Sequence, residues 1–257
     1  MLWNVNDVIG YGIEATDGRI GSVSDFLFDD ATSAIRYVVV DTGGWLPGRK
    51  VLLVPEAVRE ADPVGKVFPV DLTRQQVEDS PDISADQPVS RQQEIRLHGY
   101  YGWSPYWAMP EAALAAPYWG AAGYGYGAVP PARPAESEAA ARAAEEQGDP
   151  HLRSAGEVIG YYLEAEDGDI GHVEDLLVDD ASWAIRYIVV DTRNWLPGRK
   201  VIISPQWLRW VDWSAQKIGV DLPRERIRNS PEYDQRTTLD RRYEQALHHH
   251  YERPVYW

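Results

Sequence analysis

The chain has 257 residues, is 44% hydrophobic and 25% charged, and carries a formal charge of -15 with no cysteine. That length accommodates about two ordinary domains. The acidic balance disfavours generic binding to nucleic acid or anionic lipid, and the lack of cysteine excludes disulfides, zinc-thiolate sites and cysteine nucleophiles.

Residues 1–7 show no basic stretch followed by an apolar one. No apolar run approaches the roughly 20 residues of a membrane span, so a soluble cytoplasmic protein is expected. Residues 8–15 are β-prone, and Asp17-Gly18 follows. Asp-Gly between two such runs predicts a hairpin whose type I′ turn has positive φ at both central residues, with the return strand over 19–29. Residues 30–33 form a second turn. Residues 34–41 read as a third strand, apolar on both faces apart from Arg36 and Asp41, and therefore central and buried. After a loop at 43–48, a fourth strand over 50–54 stops at Pro55. Segments 58–62 and 66–70 make a further hairpin across Pro63-Val64-Gly65. Strands this short and evenly spaced predict a small barrel or sandwich, and closure would remove the exposed edges.

Asp71 is placed to cap a short helix over 73–79, which Ser80-Pro81 ends. A second helix over 90–101 carries one apolar residue per turn (Val89, Leu97, Tyr101), the pattern of a helix lying on a surface. An aromatic tail closes the unit at Tyr106-Trp107.

The whole unit then recurs. Residues 7–107 return as 157–257 at one constant offset without insertion: Asp17-Gly18 as Asp167-Gly168, Ala34-Ile35-Arg36-Tyr37 as Ala184-Ile185-Arg186-Tyr187, Trp45-Leu46-Pro47-Gly48-Arg49-Lys50 as Trp195 to Lys200. A repeat of this size is a duplicated domain and not a solenoid. The expected organisation is a domain over 1–81, a helical extension and aromatic tail over 82–107, an Ala/Gly/Pro/Tyr-rich linker over 108–150, a second domain over 151–231 and its extension over 232–257. Within the linker, 136–147 reads as a solvated helix. A flexible linker of this length reaches roughly 35 Å, so the domains are free to meet or stay apart.

The ordered series Val8-Ile9-Gly10, Asp17-Gly18-Arg19-Ile20-Gly21, Ser24-Asp25-Phe26-Leu27-Phe28-Asp29, Ile35-Arg36-Tyr37-Val38-Val39-Val40-Asp41 and Lys50-Val51-Leu52-Leu53-Val54-Pro55 resembles a PRC-barrel domain, and residues 158–205 resemble it equally. The resemblance covers about the first 75 residues of each unit. It implies a mainly β fold with accessory helices: two small PRC-like β-barrels in tandem. The family includes the cytoplasmic domain of the photosynthetic reaction-centre H subunit and the C-terminal domain of a ribosome maturation factor. Its members bind proteins, so the resemblance implies a non-catalytic interaction or scaffold module without cofactor, metal or catalytic residues. Two alternatives stay open: an accessory subunit of a membrane electron-transfer complex, peripherally attached, and a ribosome maturation accessory.

Three constellations of residues bear on a site. The paired acids Asp29-Asp30 and Asp179-Asp180 are read as turn chemistry and not as a cation site, which needs about six oxygens. His248-His249-His250 diverge by about 100° per residue on a helix and cannot converge on one ion, so they are expected on a helix surface. The tryptophans are the candidate partner contacts: Trp45 and Trp195 in the identical loops, and Trp183, Trp207, Trp210 and Trp213, which replace Ser33, Ala57, Glu60 and Pro63 of the first repeat. Four added tryptophans exceed what one small barrel core holds, so their surface is expected to be covered by the other barrel, by the tails or linker, or by a protein partner.

Overall fold

The computed structural model describes residues 1–81, 89–108, 151–192, 199–234 and 239–257. The linker helix at 136–147 and the loop tryptophan Trp195 lie outside these residues. In chain order, the first repeat contains β1 (Leu2–Asn4), α1 (Val5–Val8), β2 (Gly12–Ala15), β3 (Gly18–Asp29), β4 (Ile35–Asp41), β5 (Lys50–Leu53), β6 (Val67–Pro69), α2 (Arg74–Glu78) and α3 (Arg91–Tyr101). The second contains β7 (Leu152–Ser154), α4 (Ala155–Val158), β8 (Tyr162–Ala165), β9 (Gly168–Asp179), β10 (Ala184–Asp191), β11 (Lys200–Ile203), β12 (Leu208–Asp212), β13 (Lys217–Val220), α5 (Arg224–Arg228) and α6 (Arg241–His250).

Each repeat builds one sheet, ordered β5-β4-β3-β2-β6 and β11-β10-β9-β8-β13-β12. The fold is mainly β with helices, as the strand spacing predicts. β4 is central, between β3 and β5, and buried on both sides. Val38 and Val40 join the main core, while Tyr37 and Val39 face a second core beneath Leu97 of α3.

Three expectations need correction. Strand pairing does not close either sheet into a ring among the described residues: no ladder joins β5 to β6 or β11 to β12. After β5 and β11 the chain leaves the sheet edge through 3-10 turns that begin at Pro55 and Pro205, residues with no N–H to continue a ladder. The first hairpin pairs Ala15 with Gly18, so its loop residues are Thr16 and Asp17. Gly18 has φ 138° and Asp17 is not among the positive-φ residues, so the turn is not type I′. Finally, Thr73 and not Asp71 caps α2, through a capping box with Gln76.

The two sheets trade strands. β1, from the first repeat, pairs antiparallel with β9 of the second: Leu2 opposite Asp179, Trp3 opposite Val178, Asn4 opposite Leu177. β7 pairs with β3 in the same register 150 residues on: Leu152 opposite Asp29, Arg153 opposite Phe28, Ser154 opposite Leu27. A bridge at Ala34–Ala184 lies between the exchanges, with Ile35 N–H donating to the Trp183 carbonyl and Ile185 N–H to that of Ser33. Val5 and Val8 therefore share one continuous core with Ala155, Val158 and the interior of the second sheet. Among the described residues no helix is long and apolar enough to cross a membrane.

Candidate functional site

The exchange is anchored by two equivalent aspartates in different surroundings. Asp25 Oδ1 accepts from the Gly156 and Phe26 N–H groups at 3.0 and 2.8 Å, and its Oδ2 accepts from Ser154 Oγ at 2.5 Å. Asp175 Oδ1 accepts from the Asn6 and Leu176 N–H groups at 3.1 and 2.8 Å. Ser154, however, is matched by Asn4, whose side chain is engaged with Tyr233 and Asp7, and Asp175 Oδ2 is buried without a partner. Burial pushes the Asp175 carboxyl up to about 6, with Asp7 and Glu174 nearby adding to the shift against the two backbone N–H bonds. A raised folded-state value means that ionisation opposes folding once the pH exceeds the ordinary carboxylate range. Asp175→Asn is therefore expected to stabilise the protein by about 1–3 kcal/mol at pH 7, the gain fading as pH falls through 6 toward about 4. Urea unfolding of both forms across that range measures it; an equal difference at pH 4 and pH 7 contradicts it.

The turn acids are structural. Asp29 Oδ1 accepts from the Ala31 and Thr32 N–H groups, and Oδ2 takes Arg36 at 2.9 Å. Burial raises the Asp29 carboxyl, yet the Arg36 contact and the turn amides hold it below the usual range. Asp30 accepts from His151 at 2.8 Å and Arg153 at 3.2 Å, tying the exchanged β7 to the first repeat.

Helices α3 and α6 do not simply lie on a surface. Their polar stripes are buried. Glu94 Oε1 accepts from Tyr37 Oη at 2.9 Å and Tyr106 Oη at 2.7 Å, and Tyr37 Oη lies 2.9 Å from His98 Nε2. The second repeat reproduces the set: Glu244 Oε1 accepts from Tyr187 at 3.0 Å and Tyr256 at 2.5 Å, with His248 Nε2 3.1 Å from Tyr187 Oη. Arg91 and Arg241 reach the second oxygen of each glutamate, and their guanidinium groups also lie over the rings of Trp107 and Trp257. Burial holds both histidines below the ordinary imidazole range, and it drives the Tyr37 and Tyr187 hydroxyls far upward, the neighbouring glutamates adding to the rise. The expectation that His248 sits on a helix surface is thus wrong: it is 1% exposed, and its Nδ1 donates to the Pro254 carbonyl at 2.7 Å. His249 is exposed, and His250 donates to the Arg226 carbonyl, so the three side chains diverge as helix geometry requires.

The added tryptophans go to separate places. Trp207 is buried beneath His248 and Tyr251, with ring centroids 5.3 and 4.7 Å away. Trp183 crosses the seam into the first repeat, against Trp3, Phe26 and Phe68. Trp213 is half-buried, with Arg153 stacked 4.3 Å over its ring. Trp45, half-buried, carries Arg74 at 4.7 Å. Trp210 is 41% exposed and lies flat over Gly219, its cross-strand partner, where a methyl group would overlap the indole. The first repeat has Glu60 and Pro69 at these two positions, so the platform exists only in the second. On the same outward face, β8 presents Tyr162, 60% exposed, where the first repeat has Gly12. Trp210 and Trp213 also line a cavity of about 380 Å³ that runs in from the strand edge. Tyr162 was missed in the sequence; its replacement of Gly12 between the copies was the available signal.

Comparison with known proteins agrees with this architecture. Residues 4–77 match the PRC-barrel domain family. An uncharacterized protein of Deinococcus radiodurans is 37% identical over 89 residues, which make up 35% of this chain and 31% of that protein. The similarity therefore spans less than a third of the relative's length. The chain carries a PRC-barrel domain in its first repeat, and its second repeat has a similar β-sheet fold in tandem with it.

Proposed function

We propose that the protein is a non-catalytic scaffold that binds a protein partner through the outward face of β8, β13 and β12, with Trp210 and Tyr162 as anchors. The observation that carries this reading is the pair of exposed aromatic side chains placed on one sheet face by substitutions confined to the second repeat. Aromatic anchors of this kind dominate the energetics of protein contacts. The flanking Asp212, Lys217 and Glu164 supply a polar rim of mixed sign.

A non-catalytic role is supported by how the acid-base side chains are used. Glu94, His98, Glu244 and His248 are all buried and hydrogen-bond with tyrosines that fix the helices and tails. The strand exchange supports the scaffold reading, because it holds both repeats in one body.

Affinity capture from a native lysate tests the proposal, comparing the wild type with Trp210→Ala/Tyr162→Ala. A partner held by the wild type is expected to fall at least about tenfold with the double variant, the loss of roughly one anchor residue's contribution. An unchanged set of captured proteins would dismiss this face. Thermal melts of both forms should nearly coincide, since neither side chain is in the core.

A further inference from the structure

The two repeats differ most where each receives the turn of the other. In the first repeat the space inside the sheet is filled by an indole borrowed from the second. Trp183 enters it with ring centroids 5.8 Å from Trp3, 6.5 Å from Phe26 and 6.2 Å from Phe68. The equivalent positions of the second repeat hold Ser33, Arg153, Leu176 and Ile218. Every aromatic ring of the plug is lost. Arg153 turns away to Asp30 and the face of Trp213. What is left is the cavity of about 380 Å³, floored by Leu176, Ile185, Ile188 and Ile218, with Ser33 where the plugging indole would start. That volume lies within the range of small-molecule sites, and an apolar cavity with a few polar groups at its rim is the usual form of such a site.

We infer that this cavity is a binding site for a planar aromatic molecule about the size of an indole, taking the place that Trp183 fills in the first repeat. The pseudo-twofold relation argues for the shape of the occupant, because the same backbone frame encloses an indole on the other side. The walls agree: Trp210 and Trp213, unique to the second repeat, line it with aromatic side chains where the first repeat has Glu60 and Pro63. The backbone agrees too. Ser33 has φ 59° and Trp183 φ 50°, so both turns start the side chain from the same left-handed conformation.

The substitution Ser33→Trp therefore places a plug using a conformation that tryptophan already adopts in this fold. With indole as the probe in isothermal titration, the wild type should bind one molecule per chain. Ser33→Trp should weaken binding at least about tenfold, since the indole-sized volume is then occupied. Trp183→Ser, which opens the matching space in the first repeat, should bind two. The inference fails if the wild type takes up no indole at millimolar concentration, or if Ser33→Trp binds as the wild type does. It also fails if adamantanol, rigid but not planar, binds as tightly as indole. Trp210 lines the cavity together with Ser33 but Tyr162 does not, so Tyr162→Ala separates the two readings: it should weaken partner capture while indole binding stays as in the wild type.

Discussion

Gly171→Ala is expected to destabilise the whole protein by about 3–5 kcal/mol, the range of the most damaging single substitutions. Gly171 sits at φ 144°, a conformation that side chains rarely adopt. It also stands where β9 slips register, between Leu163 opposite Gly171 and Glu164 opposite Asp169. The neighbouring His172 pairs with Asp191 at the end of β10, and a methyl added at Gly171 would overlap the Asp191 carbonyl oxygen. That atom is backbone in a buried strand, so relief requires moving the strand and not a flexible side chain. Two costs combine here, a disfavoured φ and an overlap with fixed atoms. For a chain of this size the loss corresponds to a melting temperature lower by roughly 10–15 °C. The strand exchange adds a qualitative expectation. β9 is the template for β1, and Val5 and Val8 lie in the common core, so damage to the second sheet reaches the first. Calorimetry should show one lowered transition. Two separated transitions, with the first repeat melting as before, would contradict the coupling. Gly44→Ala is the control: Gly44 has an ordinary φ and open space around its α-carbon, and its replacement should change stability by less than about 0.5 kcal/mol.

The parts of this fold that could be read from the sequence are those whose signal is local or duplicated. The alternation and punctuation of 19–29, 34–41 and 50–54 placed β3, β4 and β5 to within a residue or two, and the constant offset transferred them to the second repeat. The strand exchange was not legible. Leu2-Trp3-Asn4 and Leu152-Arg153-Ser154 are too short to show a period, and their partners lie more than a hundred residues away. Helices α3 and α6 misled for a different reason. A stripe of Glu and His reads as solvated, because burial of such groups is favourable only when partners satisfy them, and those partners, Tyr37 and Tyr187, belong to a distant strand. The recurrence of Tyr37, Glu94, His98 and Tyr106 as Tyr187, Glu244, His248 and Tyr256 carried the information. Four polar side chains preserved at one offset, while Ser33, Ala57, Glu60 and Pro63 all changed, mark a unit that the fold needs. The tryptophan substitutions were plain to see, yet one fills the other repeat, one joins its own core and two stand at a cavity mouth. Only the topology of the seam separates those fates.

Glu244→Ala is expected to cost about 3–5 kcal/mol and to free α6 with the tail that follows it, as for loss of two tyrosine hydrogen bonds to a buried charged acceptor. The carboxylate is 3% exposed and accepts from Tyr187 on β10 and from Tyr256 in the tail, so it joins three elements that are apolar only in part. Removing it takes the charged acceptor from both hydroxyls and from Arg241, leaving Tyr187 with His248 and Tyr256 with Arg241 as their remaining hydrogen-bond partners. Glu244→Gln keeps an acceptor oxygen for the tyrosines and should cost less, about 1–2 kcal/mol. Hydrogen exchange separates the outcomes: in Glu244→Ala the amides of Arg241–His250 should exchange far faster while β10 stays protected. Equal effects from Ala and Gln would mean that the negative charge alone, and not the acceptor oxygen, carries the contribution. The histidines add a pH dependence with a definite sign. Burial lowers the pKa of His98 and His248 in the fold, so the unfolded chain takes up their protons first. Their contribution is complete above about pH 6.5 and is lost as the pH falls below it. Asp175, raised to about 6, works in the opposite direction just below that window. The acid sensitivity of the helices should therefore be steeper in Asp175→Asn than in the wild type. It should flatten when His98→Gln and His248→Gln are added, which urea unfolding between pH 7 and pH 5 would record.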